Sequence, residues 1–264
     1  MRWFPLGLTV ALALALTFLT LPVVAIFVNS SPGDLLDSLG DGAARDALWL
    51  SVRCTAAALA IIVAVGTPAA YLLATRSFPG KAIVVTLIEL PLVLPPAVAG
   101  IGLLAAVGPS GLLGGTLDAA GIELSLTTAG VVVALTFVAS PFYVRQAMAA
   151  FAAVDRTLLD ASRTLGVSEA RGFARVMIPM AMPGLVAGGA LALGRALGEF
   201  GATLMFAGSF RGITQTAPLA IYDLFTTNFD AALALSAVLV AVSAAILLSV
   251  KLVHGAGVLG GAPR

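Results

Sequence analysis

Residues 149–185 read AAFAAVDRTLLDASRTLGVSEARGFARVMIPMAMPGL, the only long polar stretch on one side of a chain otherwise made of apolar runs. Asp155 suits the N-cap of a short helix whose apolar face carries Leu158, Leu159 and Leu165, and Gly166 suits the left-handed residue that ends it. Ser168 can cap a second helix, with Glu169 in its first turn, where the helix dipole favours a negative charge. Pro179 and Pro183 are expected to bend or restart the chain beyond it. The segment reads as helix, turn, helix.

The sequence on either side decides what this segment is attached to. Hydrophobic residues make up 60% of the 264 and charged residues only 10%, a balance that no single soluble core can hide. Apolar runs long enough to cross a bilayer, about 20 helical residues, occur at 6–28, 47–74, 82–107, 124–144, 176–207 and 231–250. The expectation is an all-α integral membrane protein with six transmembrane helices, forming a single transmembrane domain over 1–264. The first run, Leu6 to Val28, exceeds the core of a secretory signal, about 7–15 residues, and is read as a retained span.

The net charge of +1 does not suggest nucleic-acid binding. A single cysteine, Cys54, precludes an intrachain disulfide, and a single histidine, His254, is too little for a metal cluster, so no metal site is expected. Basic residues in short loops resist translocation. A cytoplasmic N-terminus puts Arg2, Arg76, Lys81, Arg145, Arg156, Arg163, Arg171, Arg175, Lys251 and Arg264 inside, against Arg45 and Arg211 outside. Arg53 and Arg195 fall within spans, and Asp34, Asp37, Asp41, Asp46, Asp118, Glu123, Asp223 and Asp230 form an outer rim. Both termini are thus expected in the cytoplasm, as is the 155–179 loop.

Two spans are irregular. The third, IELPLVLPPAVAGIGLL at 88–104, holds Glu89 and the prolines Pro91, Pro95 and Pro96. Each proline in a helix interior costs about 3 kcal/mol, and broken backbone at membrane depth survives only where protein or water covers it. The break is either a kink filled by neighbouring helices or a wall of a substrate pathway, with Gly100 and Gly102 permitting close approach. The fifth span contains GRALGEFGATLMF, residues 194–206, with Arg195 and Glu199 four apart. On a helix that spacing puts both charges on one face, about 6 Å apart along the axis. The pair either locks the span against its neighbours or, with Gly198 and Gly201, marks a hinge beside a pathway. For the loop, too, two readings stand: a helical connection, or a helix that seats in a groove of a cytoplasmic partner.

The loop resembles the EAA loop of ABC importer permeases, a Glu-Ala-Ala triplet followed by a glycine four residues after its last alanine and then by an Ile-x-Leu-Pro group. Here stand Asp160, Ala161 and Ser162, then Gly166, then Val176, Met177, Ile178 and Pro179. The spacing is that of the family, and several identities are softened. With LPLVLPP in span three, RALGEFGATLMFAG at 195–208 and TQTAPLAIY at 214–222, the chain is similar to the molybdate branch of the molybdate, tungstate and sulfate importers.

That resemblance implies the type I ABC importer permease fold, a cytoplasmic coupling-helix loop between spans four and five, and a bacterial-type inner membrane. It implies a homodimer of permease subunits, a cytoplasmic ABC ATPase dimer that uses ATP and Mg, and an extracytoplasmic oxyanion-binding protein, with no cofactor bound by this chain. No Walker A sequence is present, since Gly80 and Lys81 lack the upstream glycine and the following Ser or Thr; the chain is expected to translocate rather than catalyse. Asp160, Ala161, Ser162, Gly166, Glu169 and Pro179 are expected to couple to the ATPase. Glu89, Pro95, Pro96, Arg195, Glu199, Gly201, Thr203 and Gln215 are the pathway or gate candidates, with Thr214 and Thr216 beside them. Sulfate or thiosulfate is the rival cargo, and a proton-coupled carrier using Glu89 and Glu199 is the rival mechanism.

Overall fold

The computed structural model describes residues 3–31, 33, 35, 38, 40–164 and 166–259, and the side chains of Trp3, Arg156, Ser162, Arg163 and 250–259 are not among those described. Arg2, Asp34, Asp37, Leu165 and Arg264 lie outside the described residues, as do the side chains of Lys251 and His254. Every regular element among the described residues is helical. In chain order they are α1 (Trp3–Asn29), α2 (Gly42–Thr75), α3 (Lys81–Val93), α4 (Pro96–Val107), α5 (Gly114–Ala119), α6 (Thr128–Ala152) and α7 (Arg156–Thr164). Then follow α8 (Glu169–Gly172), a π turn (Phe173–Met177), α9 (Ile178–Leu197), α10 (Gly201–Ala207), α11 (Ala217–Thr227) and α12 (Phe229–Leu259).

Capping chemistry places the ends. Asp41 Oδ1 accepts the Ala43 amide at 3.1 Å to open α2, and Thr127 Oγ1 accepts the Gly130 amide at 3.1 Å to open α6. Five helices are long and apolar enough to cross a membrane, and six if the bent α3–α4 pair counts as one. The core forms where α2, α6 and α9 cross, around Ala58, Ile62, Leu135, Tyr143, Ala147, Leu185 and Ala192. Small residues let these backbones approach. A Cβ on Gly66 would meet Tyr143 Cδ1 at 3.0 Å, and one on Gly184 would overlap Ala150 Cβ. Thr67 and the Tyr143 hydroxyl share a buried hydrogen bond of 2.6 Å across the same crossing. α1 runs along α12, and its apolar side chains are exposed on all sides, which suits a helix whose solvent is lipid.

Several expectations change. The third span, 82–107, is not one continuous helix but two helices meeting at 119°. Leu94 and Pro95 are both extended, with ψ of 131° and 137°, because a residue before proline is pushed out of the helical region and Pro96 can only start a new helix. The fifth span does not run unbroken over 176–207: it stops at Leu197 and restarts at Gly201. Pro179 and Pro183 do not break the chain, since Pro179 sits in the first turn of α9 and Pro183 within it. The adjustment falls instead on the π turn, just where Pro179 removes an amide and crowds the Arg175 carbonyl. The second loop helix is therefore no separate element, because helix continues from Glu169 to Leu197. The fourth span extends to Ala152, so Arg145 stands within a helix rather than in a loop.

Candidate functional site

The two broken spans meet. A Cβ added to Gly100 of α4 would lie 2.6 Å from Met205 Cβ and 2.7 Å from the Ala202 carbonyl of α10, and one on Gly201 would lie 2.8 Å from Pro96 Cβ. The short helices after each break thus touch backbone to backbone, and Ala99, Leu103, Ala202 and Phe206 close the contact against Ala134 and Val138 of α6. Gly102, expected to share this role, has open space instead. The sequence could not separate the two glycines, since only one points at the partner.

At the fifth-span break, Glu199 is 1% exposed and Arg195 is 26% exposed at the side chain, and Arg195 Nη2 lies 2.5 Å from Glu199 Oε2. The pairing follows the four-residue spacing, but the assumed geometry does not hold, because Glu199 lies beyond the end of α9. Gly198 caps that helix, and Glu199 Oε1 accepts the Ala202 amide at 2.7 Å, opening α10. One carboxylate therefore binds the last turn of one helix and the first turn of the next. Losing its charge would leave Arg195 unpaired, although a neutral carbonyl oxygen can still accept the Ala202 amide, and breaking a buried pair is costly.

Beside the break, Thr203, Thr214, Gln215 and Thr216 are all buried. Thr214 Oγ1 accepts the Phe210 amide at 2.9 Å, and Ser51 Oγ of α2 accepts the Ala217 amide at 2.7 Å, which pins the 210–217 turn to α2. The hydroxyls of Thr203, Thr216 and Thr55 are buried without a hydrogen-bond partner among the described residues. Glu89 is elsewhere, on α3, 3.2 Å from Arg145 of α6. The pathway candidates therefore divide: Pro95, Pro96, Glu199, Gly201 and Thr203 gather at the two breaks, and Glu89 belongs to a separate contact.

At the loop end, Asp155 Oδ1 accepts the Thr157 amide at 2.9 Å, and this bonding holds the carboxyl below the usual carboxylate range. Gly166 has φ +77°, the left-handed conformation its position calls for. Ser168 stands at the N-cap but makes no side-chain cap bond. Leu159 is buried, whereas Asp160 and Ala161 are exposed, and the Ser162 side chain lies outside the described residues. Glu169 pairs with Arg76 at the end of α2 at 2.6 Å. Tyr71, Phe151 and Phe173 cluster in edge-on and tilted contacts with centroids 4.6–6.1 Å apart, and beside them lies a cavity of about 210 Å³ reached by Leu159, Asp160 and Met177. Sequence reading missed Arg76, Arg145 and this aromatic trio, whose members lie on three segments with no shared spacing. Among the described residues no three His, Cys, Asp or Glu side chains gather as a metal site would need.

An outward-facing short helix joined to six crossings, two of them broken, is the architecture of a type I ABC importer permease. The chain superimposes with a TM-score of 0.74, at 16% identity and over 94% of both chains, on a bacterial ABC transporter involved in the import of the acidic polysaccharide alginate. Residues 66–256 match the model of the binding-protein-dependent transport system inner membrane components, and the chain belongs to that family. It is 43% identical to the molybdenum transport system permease protein ModB of Mycobacterium tuberculosis, over 89% of each chain. It is also 41% identical to a probable molybdenum ABC transporter permease of Haloferax volcanii, over 95% of this chain and 90% of the relative. The protein is thus a multi-pass inner-membrane permease.

Proposed function

We propose that this chain is the translocating subunit of an ATP-driven importer for molybdate or tungstate. Two copies form the pathway, an ABC ATPase dimer docks on α7 at the loop end, and a binding protein delivers the oxyanion at the opposite end. The clustering of Arg76, Lys81, Arg171 and Arg175 near the loop end supports a cytoplasmic position for that end and for both termini. The identity with molybdenum permeases supports the cargo.

One observation carries the mechanism. Helix runs without interruption over the 29 residues Glu169–Leu197, about 43 Å at 1.5 Å per residue, from the loop to the Arg195–Glu199 break. A displacement of α7 on ATP binding is transmitted along this rod to the place where α10 rests on α4. Asp160, Ala161, Ser162, Gly166, Glu169 and Pro179 form the coupling end. Pro95, Pro96, Arg195, Glu199, Gly201, Thr203 and Gln215 form the gate end. The partner subunits hydrolyse ATP with Mg, and this chain performs no covalent step.

The test is uptake of labelled molybdate into vesicles holding the permease, its ATPase and its binding protein. Uptake is expected to need ATP, to be competed by tungstate, and to resist equimolar sulfate. Uptake driven by a proton gradient without the ATPase would overturn the reading.

A further inference from the structure

α3 is a weakly supported crossing segment. No residue of Lys81–Val93 is buried, and Ile83, Leu87 and Val93 are exposed. Both of its ends are chain breaks: Gly80 at φ +81° on one side, and the extended Leu94 and Pro95 with the 119° turn on the other. An element with so few buried contacts lies at the low end of local stability.

A charged contact ties this arm to the packed body, where Glu89 Oε1 lies 3.2 Å from Arg145 Nε. Glu89 stands about 12 Å along α3 from Lys81, and Arg145 about 10 Å along α6 from Ala152, so the two meet at matching depth. Next to them is a cavity of about 340 Å³, lined by Leu73, Ala74, Lys81, Met148, Ala149 and Ala152 as well as by the pair itself. It leaves room for the arm to shift against α6 without displacing packed side chains. The side chains of Arg145 and Glu89 are 61% and 35% exposed, so this pair is not enclosed by the chain as the Arg195–Glu199 pair is, and it can part without opening the packed interior. Arg145 is also less than two turns from Phe151, whose ring makes a tilted contact with Phe173 in the rod that starts at the loop. A moving loop therefore bears on the helix that holds the arm.

We propose that Glu89 and Arg145 form a reversible latch fixing the α3 arm against α6, and that both act as positioning residues for transport. The latch deepens the importer reading and rests on it: closed, it holds one access state, and open, it frees the arm to swing about Gly80 and Leu94.

The test places spin labels at Val93→Cys on the arm and Val65→Cys on α2 in the full transporter complex. Cys54, the native thiol, is 2% exposed and does not compete for label. In a complex holding one labelled and one unlabelled copy of the chain, the expected result is one narrow distance distribution at rest, broadened by Glu89→Gln and by Arg145→Gln, and narrowed again in the exchange Glu89→Arg with Arg145→Glu. Molybdate taken up per ATP hydrolysed is expected to fall about fivefold in each single variant, the size of a pair worth about 1 kcal/mol, and to recover in the exchange. An unchanged distribution in Glu89→Gln, or an exchange no better than the single variants, overturns the latch. Failure of the unmodified complex to take up molybdate with ATP would count against the importer reading, while the label distances still decide the latch.

Discussion

The third and fifth spans are both broken, by opposite means. In the third, Pro95 and Pro96 remove backbone donors, so the break is built into the covalent chain and persists in any state. In the fifth no proline intervenes: Gly198 ends one helix and Glu199 opens the next by accepting the Ala202 amide while it pairs with Arg195. The first break leaves an arm without a buried residue, whereas the second is sealed in the interior. A steric break is present in every state while its angle stays free to change, and an electrostatic one makes a joint whose geometry depends on where a charge sits. A transporter that alternates between two states needs both kinds.

The largest expected effect comes from separating the two breaks. Gly201→Val sets a side chain against Pro96 Cβ at 2.8 Å and the Ala97 nitrogen at 3.2 Å. Backbone cannot yield as a side-chain tip can, and overpacking of this kind costs about 1–3 kcal/mol or more. The yield and melting temperature of the detergent-purified chain are both expected to drop. Glu199→Gln probes the electrostatic break alone. Uptake is expected to fall about tenfold, near 1.4 kcal/mol of lost coupling, with complex yield falling less than uptake; a parallel loss of both would make the pair purely structural.

The steric break is probed by Pro95→Ala combined with Pro96→Ala, which allows helix to continue through residue 94. Uptake is expected to decline less than in Glu199→Gln, because Gly100 still seats α4 on α10; a larger decline would reverse the ranking of the two breaks. At the loop, Gly166→Ala puts a Cβ on a residue at φ +77° and costs about 1 kcal/mol. It should lower uptake per ATP without lowering the yield of the chain. The smallest effect is that of pH on Asp155. Its carboxyl titrates below the ordinary value of about 3.9, so the cap is at full strength above that value and is lost only as pH falls through the lowered one. The change in ATPase coupling between pH 8 and pH 5 should therefore be the same in Asp155→Asn and the unaltered complex.

The loop was legible because its signals are local. A cap acceptor at Asp155, a left-handed glycine at 166 and an exposed Asp160 each act within a few residues of chain. Crossing helices were legible for a related reason, since hydropathy is summed along one segment. Reading failed where a partner lies far away in sequence. The apolar run at 124–144 stops short of Arg145, yet the helix continues through it and Glu89 stands opposite, 56 residues earlier in the chain. Spacing alone puts Glu199 on a helix face, although Gly198 ends that helix.

The sequence by itself determined that this protein crosses the membrane about six times, carries a polar helical loop before the fifth crossing, and breaks the third at a proline pair. These follow from transfer free energy and from backbone chemistry that acts within a turn or two. Only the tertiary structure decided that α4 rests on α10 through Gly100 and Gly201, that Glu199 joins two helices rather than riding on one, and that Glu89 answers Arg145. The first and last of those depend on side chains and backbones brought together across tens to a hundred residues, where no periodicity in the chain records the distance between them, and the second depends on where Gly198 ends α9.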